Sequence, residues 1–415
     1  MALFLGILGP TSTAAQETRE EQIQQQRADK QKTLHPNTPG KVERAFLKIE
    51  DELILERWLN PQNGPFLRLG GLAEGAGFGV GPAFRVTRPP GLPQAVFNAS
   101  AAVSLKKYWI GEASLAFPRL LGGRVFAEIY GRRRDFPQED FFGIGADSNV
   151  DDRANFAFRE SAVRGTLGVR PLQWLTAGGS IEGLIPDIDS GTDTRVPSVE
   201  DVFDRATVFG FDDQPSFVKS EVFVDVDYRD TIPGLRAAAD RLDWPLVGNA
   251  RTGGRYSMSY GRYDDGDREE HTFNRFELDA QQYIPFLKGH RIVALRAQLT
   301  LSDPEPGHEV PFYYLPTLGG AYTLRGFRSF RFRDRNAMLF QAEYRYHVNP
   351  FVMGALFYDA GKVSRERDEL DFEDLESDWG LGLRLGNAAA VVMRLDIAFG
   401  SGEGTRYLLR FNNVF

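Results

Sequence analysis

The sequence predicts an all-β fold: a transmembrane β-barrel of about sixteen antiparallel strands, preceded by a short N-terminal amphipathic helix. Three observations predict it. From residue 65 to the end, apolar and polar residues alternate in one segment after another, the period of a sheet with two unlike faces. The polar face carries charge on many consecutive long strands, which a soluble sandwich does not need, and a sandwich would also have edges to protect. The connections alternate short and long, as they do when the two ends of a barrel face different compartments.

Composition narrows the alternatives. The chain has 415 residues, and no run of 18 apolar residues occurs, which excludes a helical membrane protein. A barrel escapes hydropathy because only half of each strand is apolar. A formal net charge of −8 argues against nucleic acid as a partner. Cysteine is absent, which a closed barrel tolerates in an oxidising compartment.

Taken in order, residues 1–15 have a short apolar stretch and small residues at Ala14 and Ala15, the remnant of a secretory signal peptide. No Lys or Arg precedes the apolar run, so the pattern is incomplete. Residues 16–64 form a second region, polar at first. Thr38-Pro39 then reads as an N-cap with proline at the first helical position. Val42, Phe46, Ile49, Leu53, Ile54 and Trp58 follow at helical spacing up to Asn60-Pro61. One apolar stripe and a short tether to the first strand place this helix at the barrel mouth or in its lumen. It serves there either as structural cover or as a plug or docking helix for a partner.

Residues 65–415 form the barrel. The expected strands are 65–73, 76–88, 95–107, 109–117, 124–135, 154–169, 174–185 and 216–229. They continue with 252–264, 271–285, 290–302, 337–348, 350–363, 378–387, 390–400 and 405–415. Gly75-Ala76-Gly77 leaves open whether the first two segments make a hairpin or one bent strand. In 216–229, Val222, Val224 and Val226 alternate with Glu221, Asp225 and Asp227. In 390–400, Met393, Leu395 and Ile397 oppose Arg394 and Asp396. The connection 230–251 is long on the side where turns are otherwise short.

The most informative stretch is 312–361. A loop carries Leu324-Arg325-Gly326-Phe327 and then a run dense in Arg and Phe. In the strand that follows, Met338, Phe340, Ala342, Tyr344 and Tyr346 share one face, opposite Gln341, Glu343, Arg345 and His347. The next strand holds one acid, Asp359, within Phe357-Tyr358-Asp359-Ala360-Gly361. An acid in an otherwise apolar strand needs a partner, and Arg325, brought back by the loop, is the candidate.

These two motifs, in this order and one strand apart, resemble the bacterial surface antigen superfamily, the outer-membrane barrels of the BamA/TamA type. The resemblance covers residues 65–415 and is most specific in the last hundred. It implies that Leu324, Arg325, Gly326 and Phe327 sit at the tip of a loop folded into the lumen. There Arg325 bonds Asp359 of the Phe357/Asp359/Gly361 motif on strand 13, and Glu343 on strand 12. The C-terminal row Tyr407, Leu409, Phe411 and Phe415 resembles the signal by which such barrels are recognised for insertion. Asn413 stands in that row as a more polar residue than is usual. The segment 16–64 is too short for a POTRA domain, so client capture by such a domain does not carry over.

The resemblance also implies partners: outer-membrane lipid and lipopolysaccharide, the barrel-assembly machinery during insertion, and client polypeptides or a separate periplasmic protein. The function it implies is assistance to membrane-protein assembly or polypeptide translocation without catalysis. The alternative is a passive channel or structural barrel with no client. No cofactor is expected. The five histidines have no metal spacing, and Gly178-Gly179-Ser180-Ile181-Glu182 lacks the last glycine of a nucleophile elbow. An outer-membrane lipase therefore finds no Ser/His/Asp set. Asp187, Asp189 and Asp193 miss the EF-hand spacing. Arg132-Arg133-Arg134 and Arg331, Arg333 and Arg335 either meet lipopolysaccharide phosphates or line the lumen.

Overall fold

The computed structural model describes residues 61, 63–204, 207–230, 250–349, 352–386 and 391–411. The expected signal peptide remnant, the amphipathic helix and Phe415 lie outside the described residues, as does most of 230–251. Sixteen antiparallel strands follow in chain order, each hydrogen-bonded to the next. The first five are β1 (Gly64–Gly71), β2 (Phe78–Thr87), β3 (Val96–Ser104), β4 (Trp109–Leu120) and β5 (Val125–Phe141). Then come β6 (Ala154–Leu172), β7 (Leu175–Ser190), β8 (Phe217–Asp227), β9 (Gly253–Asp265), β10 (Phe273–Phe286) and β11 (Arg291–Pro304). The last are β12 (Asn336–Asn349), β13 (Val352–Ser364), β14 (Glu376–Gly386), β15 (Val391–Phe399) and β16 (Arg406–Arg410).

The first two segments are a true hairpin, with Gly64 to Gly71 pairing against Arg85 to Phe78. Gly75 and Gly77 both take positive φ in its turn, a conformation glycine adopts without penalty. The strands β5 and β7 outrun their expected ends at residues 135 and 185. Proline explains both. The ladder bulges past Pro137, jumping from Phe136↔Phe158 to Glu139↔Phe156. Pro186 pairs with Glu160 of β6 beyond the last β7–β8 pair, Leu184↔Phe217. The strand there has only one neighbour, so a missing N–H disrupts nothing.

The two faces of the sheet are the inverse of a soluble protein. Outside, Ile129, Val163, Ile181 and Val222 are 59%, 63%, 64% and 62% exposed. Exposed aromatics flank this belt: Trp174, Tyr228, Phe286, Tyr344 and Tyr346 toward the short turns, Trp109 and Trp379 toward the long loops. Inside, charge is buried: of the twelve largest fully buried side chains, five are arginines. An apolar exterior whose strands are laddered each to the next suits lipid, because the ladder satisfies the backbone groups along it.

At the long-loop end the mouth is covered. Phe312, in a single 3-10 turn (Phe312–Tyr314), packs edge-on against Phe156 and Phe141 with ring centroids 4.8 and 5.4 Å away. Phe211 stacks on the same ring. Beneath this cap Tyr314 Oη donates to Glu160 Oε2 at 2.9 Å. Burial, together with the Glu160 carboxylate, raises the Tyr314 hydroxyl well above its ordinary range and keeps it a donor.

At the seam, contacts between the end hairpin and the last strand are made by side chains. Arg410 Nη2 donates to Glu74 Oε1 at 3.1 Å, and Phe411 lies edge-on to Phe78 at 4.8 Å. Among the described residues no backbone ladder joins β1 to β16.

The outer belt yields a direct test. Ile181→Arg should lower the unfolding free energy in lipid vesicles by about 2–4 kcal/mol, the cost of a cation near the bilayer midplane. Ile181→Val should cost only about 0.5–1.5 kcal/mol. Urea titration in vesicles reads both, and a neutral arginine would mean that this face does not meet lipid.

Candidate functional site

The site is built where the long connection between β11 and β12 turns into the barrel. Its descent starts at Leu318, followed by Gly319 and Gly320, with φ of +108° and +106°. A Cβ on Gly319 would meet the Arg328 carbonyl at 2.2 Å, so the chain can double back here only on glycine. Three successive carbonyls below the bend are each held by a side chain from the wall. Ala321 O accepts from Arg394 Nη2 at 2.8 Å, Tyr322 O from Arg296 Nη1 at 3.4 Å and Thr323 O from Gln341 Nε2 at 2.8 Å.

The tip follows. Arg325 and Asp359 are both 0% exposed, and Glu343 is 1% exposed. Arg325 Nε donates to Asp359 Oδ2 at 2.6 Å and Nη2 to Oδ1 at 2.7 Å, a two-pronged pair. The third prong, Nη1, donates to Glu343 Oε1 at 2.5 Å. The guanidinium carbon stands 3.5 Å from the centroid of the Phe357 ring. Each conspicuous residue of the β13 motif thus has a task toward the loop. Phe357 supplies the face for stacking and Asp359 accepts. Gly361 leaves space, since a Cβ there would come within 2.7 Å of the Met338 carbonyl and 3.0 Å of the Leu318 side chain.

Gly326 works by close approach rather than by turn conformation. A Cβ on it would lie 2.6 Å from Cβ of Asp378, which opposes Asp359 across the β13–β14 ladder. Leu324 and Phe327 are buried, and the turn is closed by Phe327 N donating to Leu324 O at 3.2 Å. Both belong to an apolar cluster with Leu318, Phe332 and the inward Ala337, Leu339 and Val363 of β12 and β13.

The charges extend past the three residues that the sequence motifs single out. Glu343 also accepts from Arg384 Nη2 at 3.0 Å and from Arg345 Nε at 2.8 Å. Arg384 Nη1 in turn donates to Asp396 at 2.5 Å, and Arg394 lies 3.1 Å from the other Asp396 oxygen. Arg345, Arg394 and Asp396 are signalled by strand alternation. Arg384 and Asp378 are not, because their importance comes from which strands become neighbours.

The arginine clusters divide by height and face. Arg132 and Arg134 turn inward to Glu160, while Arg133 donates to Ser161 Oγ at 2.8 Å. Arg331 binds Glu403 and Ser148, Arg333 binds Glu139 and the Phe312 carbonyl, and Arg335 binds Glu309. These contacts hold loop to loop and loop to wall. Asp187 and Asp189 both face Arg159, and Asp193 pairs with Arg195. On β16, Tyr407 and Leu409 point outward and are exposed, flanking the buried Leu408.

A barrel of sixteen strands with an extracellular-type loop held in its lumen defines the class. Residues 254–412 match the Omp85 superfamily domain. In fold the chain is similar to BamA from Haemophilus ducreyi lacking POTRA domains 1–3. The TM-score is 0.60 at 14% identity, over 84% of this chain and 69% of that one. It is also similar to CdiB from Escherichia coli, with a TM-score of 0.50 at 13% identity, over 84% of this chain and 61% of that one.

Breaking the buried pair from one side strands a charge. Asp359→Ala and Arg325→Ala should each destabilise the barrel by about 3–5 kcal/mol, with the double mutant no worse than either single. Arg325→Lys should not rescue, since an ammonium cannot make the forked, stacked contact. Additive losses in vesicle-based unfolding would show that the two residues act independently. Gly326→Ala should also loosen the loop, read as faster proteolysis within 318–335, because the added methyl must displace Asp378 or the tip.

Proposed function

We propose that this chain is a bacterial outer-membrane barrel that assists the assembly of membrane proteins or the translocation of polypeptides. It works by movement of loop and seam, without covalent chemistry. The observation that carries this reading is Arg325, drawn to the inner wall and neutralised by acids of two adjacent strands, so that a long loop fills the lumen. A filled lumen is a poor steady conductor, which disfavours the passive-channel alternative.

The seam supports the same reading. Contacts such as Arg410–Glu74 and Phe411–Phe78 separate without breaking a run of backbone hydrogen bonds. A released strand edge then offers its N–H and C=O groups to another strand, as in strand addition generally. The substrates on this view are unfolded or extended polypeptides, delivered directly or by a separate periplasmic protein. Lipid and lipopolysaccharide surround the apolar belt, and the barrel-assembly machinery inserts this chain itself, guided by its last strand.

The test uses vesicles carrying the protein. They should speed insertion of a urea-unfolded outer-membrane barrel over empty vesicles, and Asp359→Ala should reduce that gain. In planar bilayers the protein should show little steady conductance, and Arg325→Ala should introduce frequent openings. Steady conductance by the unaltered protein, with no acceleration of the client, would decide for a channel.

A further inference from the structure

The outer wall of β10–β13 is not uniformly convex. A groove of about 340 Å³ runs across it, at the small end of the range for ligand sites. Strand register builds it from two adjacent rows of outward side chains. One row reads Tyr256, Ala280, Ala297, Phe340, and the next reads Gln282, Leu295, Ala342, Tyr358. Alanines thus form a floor between aromatic walls.

One end of the groove is polar. Gln282 lies on the outward face, in the apolar belt, where an amide is costly unless satisfied. Its Oε1 accepts from Tyr228 Oη at 3.0 Å and from Tyr256 Oη at 2.8 Å. The two tyrosine rings stack 6.2 Å apart, which fixes the hydroxyls on the oxygen and turns the amide nitrogen away from them. Among the described residues no acceptor is assigned to Gln282 Nε2. The tyrosines belong to the aromatic band at the short-turn end, the level at which headgroups meet acyl chains. Arg296, beside the groove, is turned inward onto Asp279, and Arg291, farther along β11 toward the short turns, lies over the Tyr346 ring.

We infer that this groove is a binding site for one phospholipid of the short-turn leaflet, with an acyl chain on the alanine floor and an ester carbonyl accepting from Gln282 Nε2. The inference rests on the reading of the barrel as membrane-spanning. The chemistry selects this occupant. A lipid is the one molecule that the surrounding bilayer presents to this face at high concentration. It also joins an apolar chain to a carbonyl acceptor at the depth where Gln282 offers a donor. The half-buried Gln282 amide, on a face turned to the bilayer, then finds an acceptor in the lipid.

The test is native mass spectrometry of the delipidated full chain, titrated with palmitoyl-oleoyl phosphatidylethanolamine. Vesicle insertion is scored in parallel by protease protection. Ala297→Phe with Ala342→Phe, which fills the groove, should weaken the first bound lipid by at least about tenfold. Gln282→Leu should weaken it by about threefold to tenfold, the effect of one hydrogen bond. Val222→Phe, on the outer face of β8, should leave it unchanged. Normal insertion with equal first-lipid affinity in all variants would overturn the site alone. Failure of the unaltered chain to insert would overturn the membrane reading itself. A protein dimer dissolved by the groove-filling pair would give the surface to a second copy and overturn the proposal.

Discussion

A cation taken out of water must be neutralised where it lands, and Arg325 meets that requirement only inside this barrel. Its guanidinium is fully buried, with its forked donors spread over Asp359 and Glu343 and one face against Phe357. Loop and wall are thereby interdependent. Without the loop, Glu343 would keep Arg345 and Arg384, whereas Asp359 would lose its guanidinium and keep the Gln341 amide. Without the acids, the loop could not keep its arginine in place, because an unpaired buried charge costs several kcal/mol. The pair therefore fixes register between a mobile class of structure, a loop, and a more rigid one, a laddered sheet.

Room matters as much as charge. The arginine reaches Asp359 because Gly326 lets the tip press against Asp378, and because Gly361 lets Leu318 settle on β13. Above the tip, the carbonyls of residues 321–323 are held by three separate strands, so the descent is fastened along its length. Higher still, Arg333 binds Glu139 and the Phe312 carbonyl, which ties the loop to the aromatic cap over the mouth. The contrast lies at the seam, where side chains alone connect the first hairpin and the last described strand. The densest charge pairing thus lies on β11–β15, the strands that lead up to the edge strand β16.

Much of this was legible from pattern alone. Alternation in segments such as 216–229 and 390–400 gives strand, face and count, since lipid and lumen impose opposite chemistry on neighbouring residues. The single acid Asp359 in an apolar strand announces a partner, and the loop supplies one candidate. Strand ends at Pro137 and Pro186 were less legible, because whether proline stops a strand depends on whether a neighbour is there to be paired. Arg384 and Asp378 acquire meaning only from register: β14 sets Asp378 against Asp359, which no local spacing foretells. The aromatic cap draws on residues as far apart as 141, 211 and 312, and contacts at that separation leave no trace in a local pattern.

The central claim, that Arg325 pins the loop to the wall, is tested most directly by hydrogen exchange of the protein in lipid vesicles. The amides of 318–330 should be protected to nearly the degree of β12 and β13, and Asp359→Ala should release that protection while β12 stays protected. Exchange of 318–330 in the unaltered protein as fast as that of the exposed 365–374 connection would contradict the account.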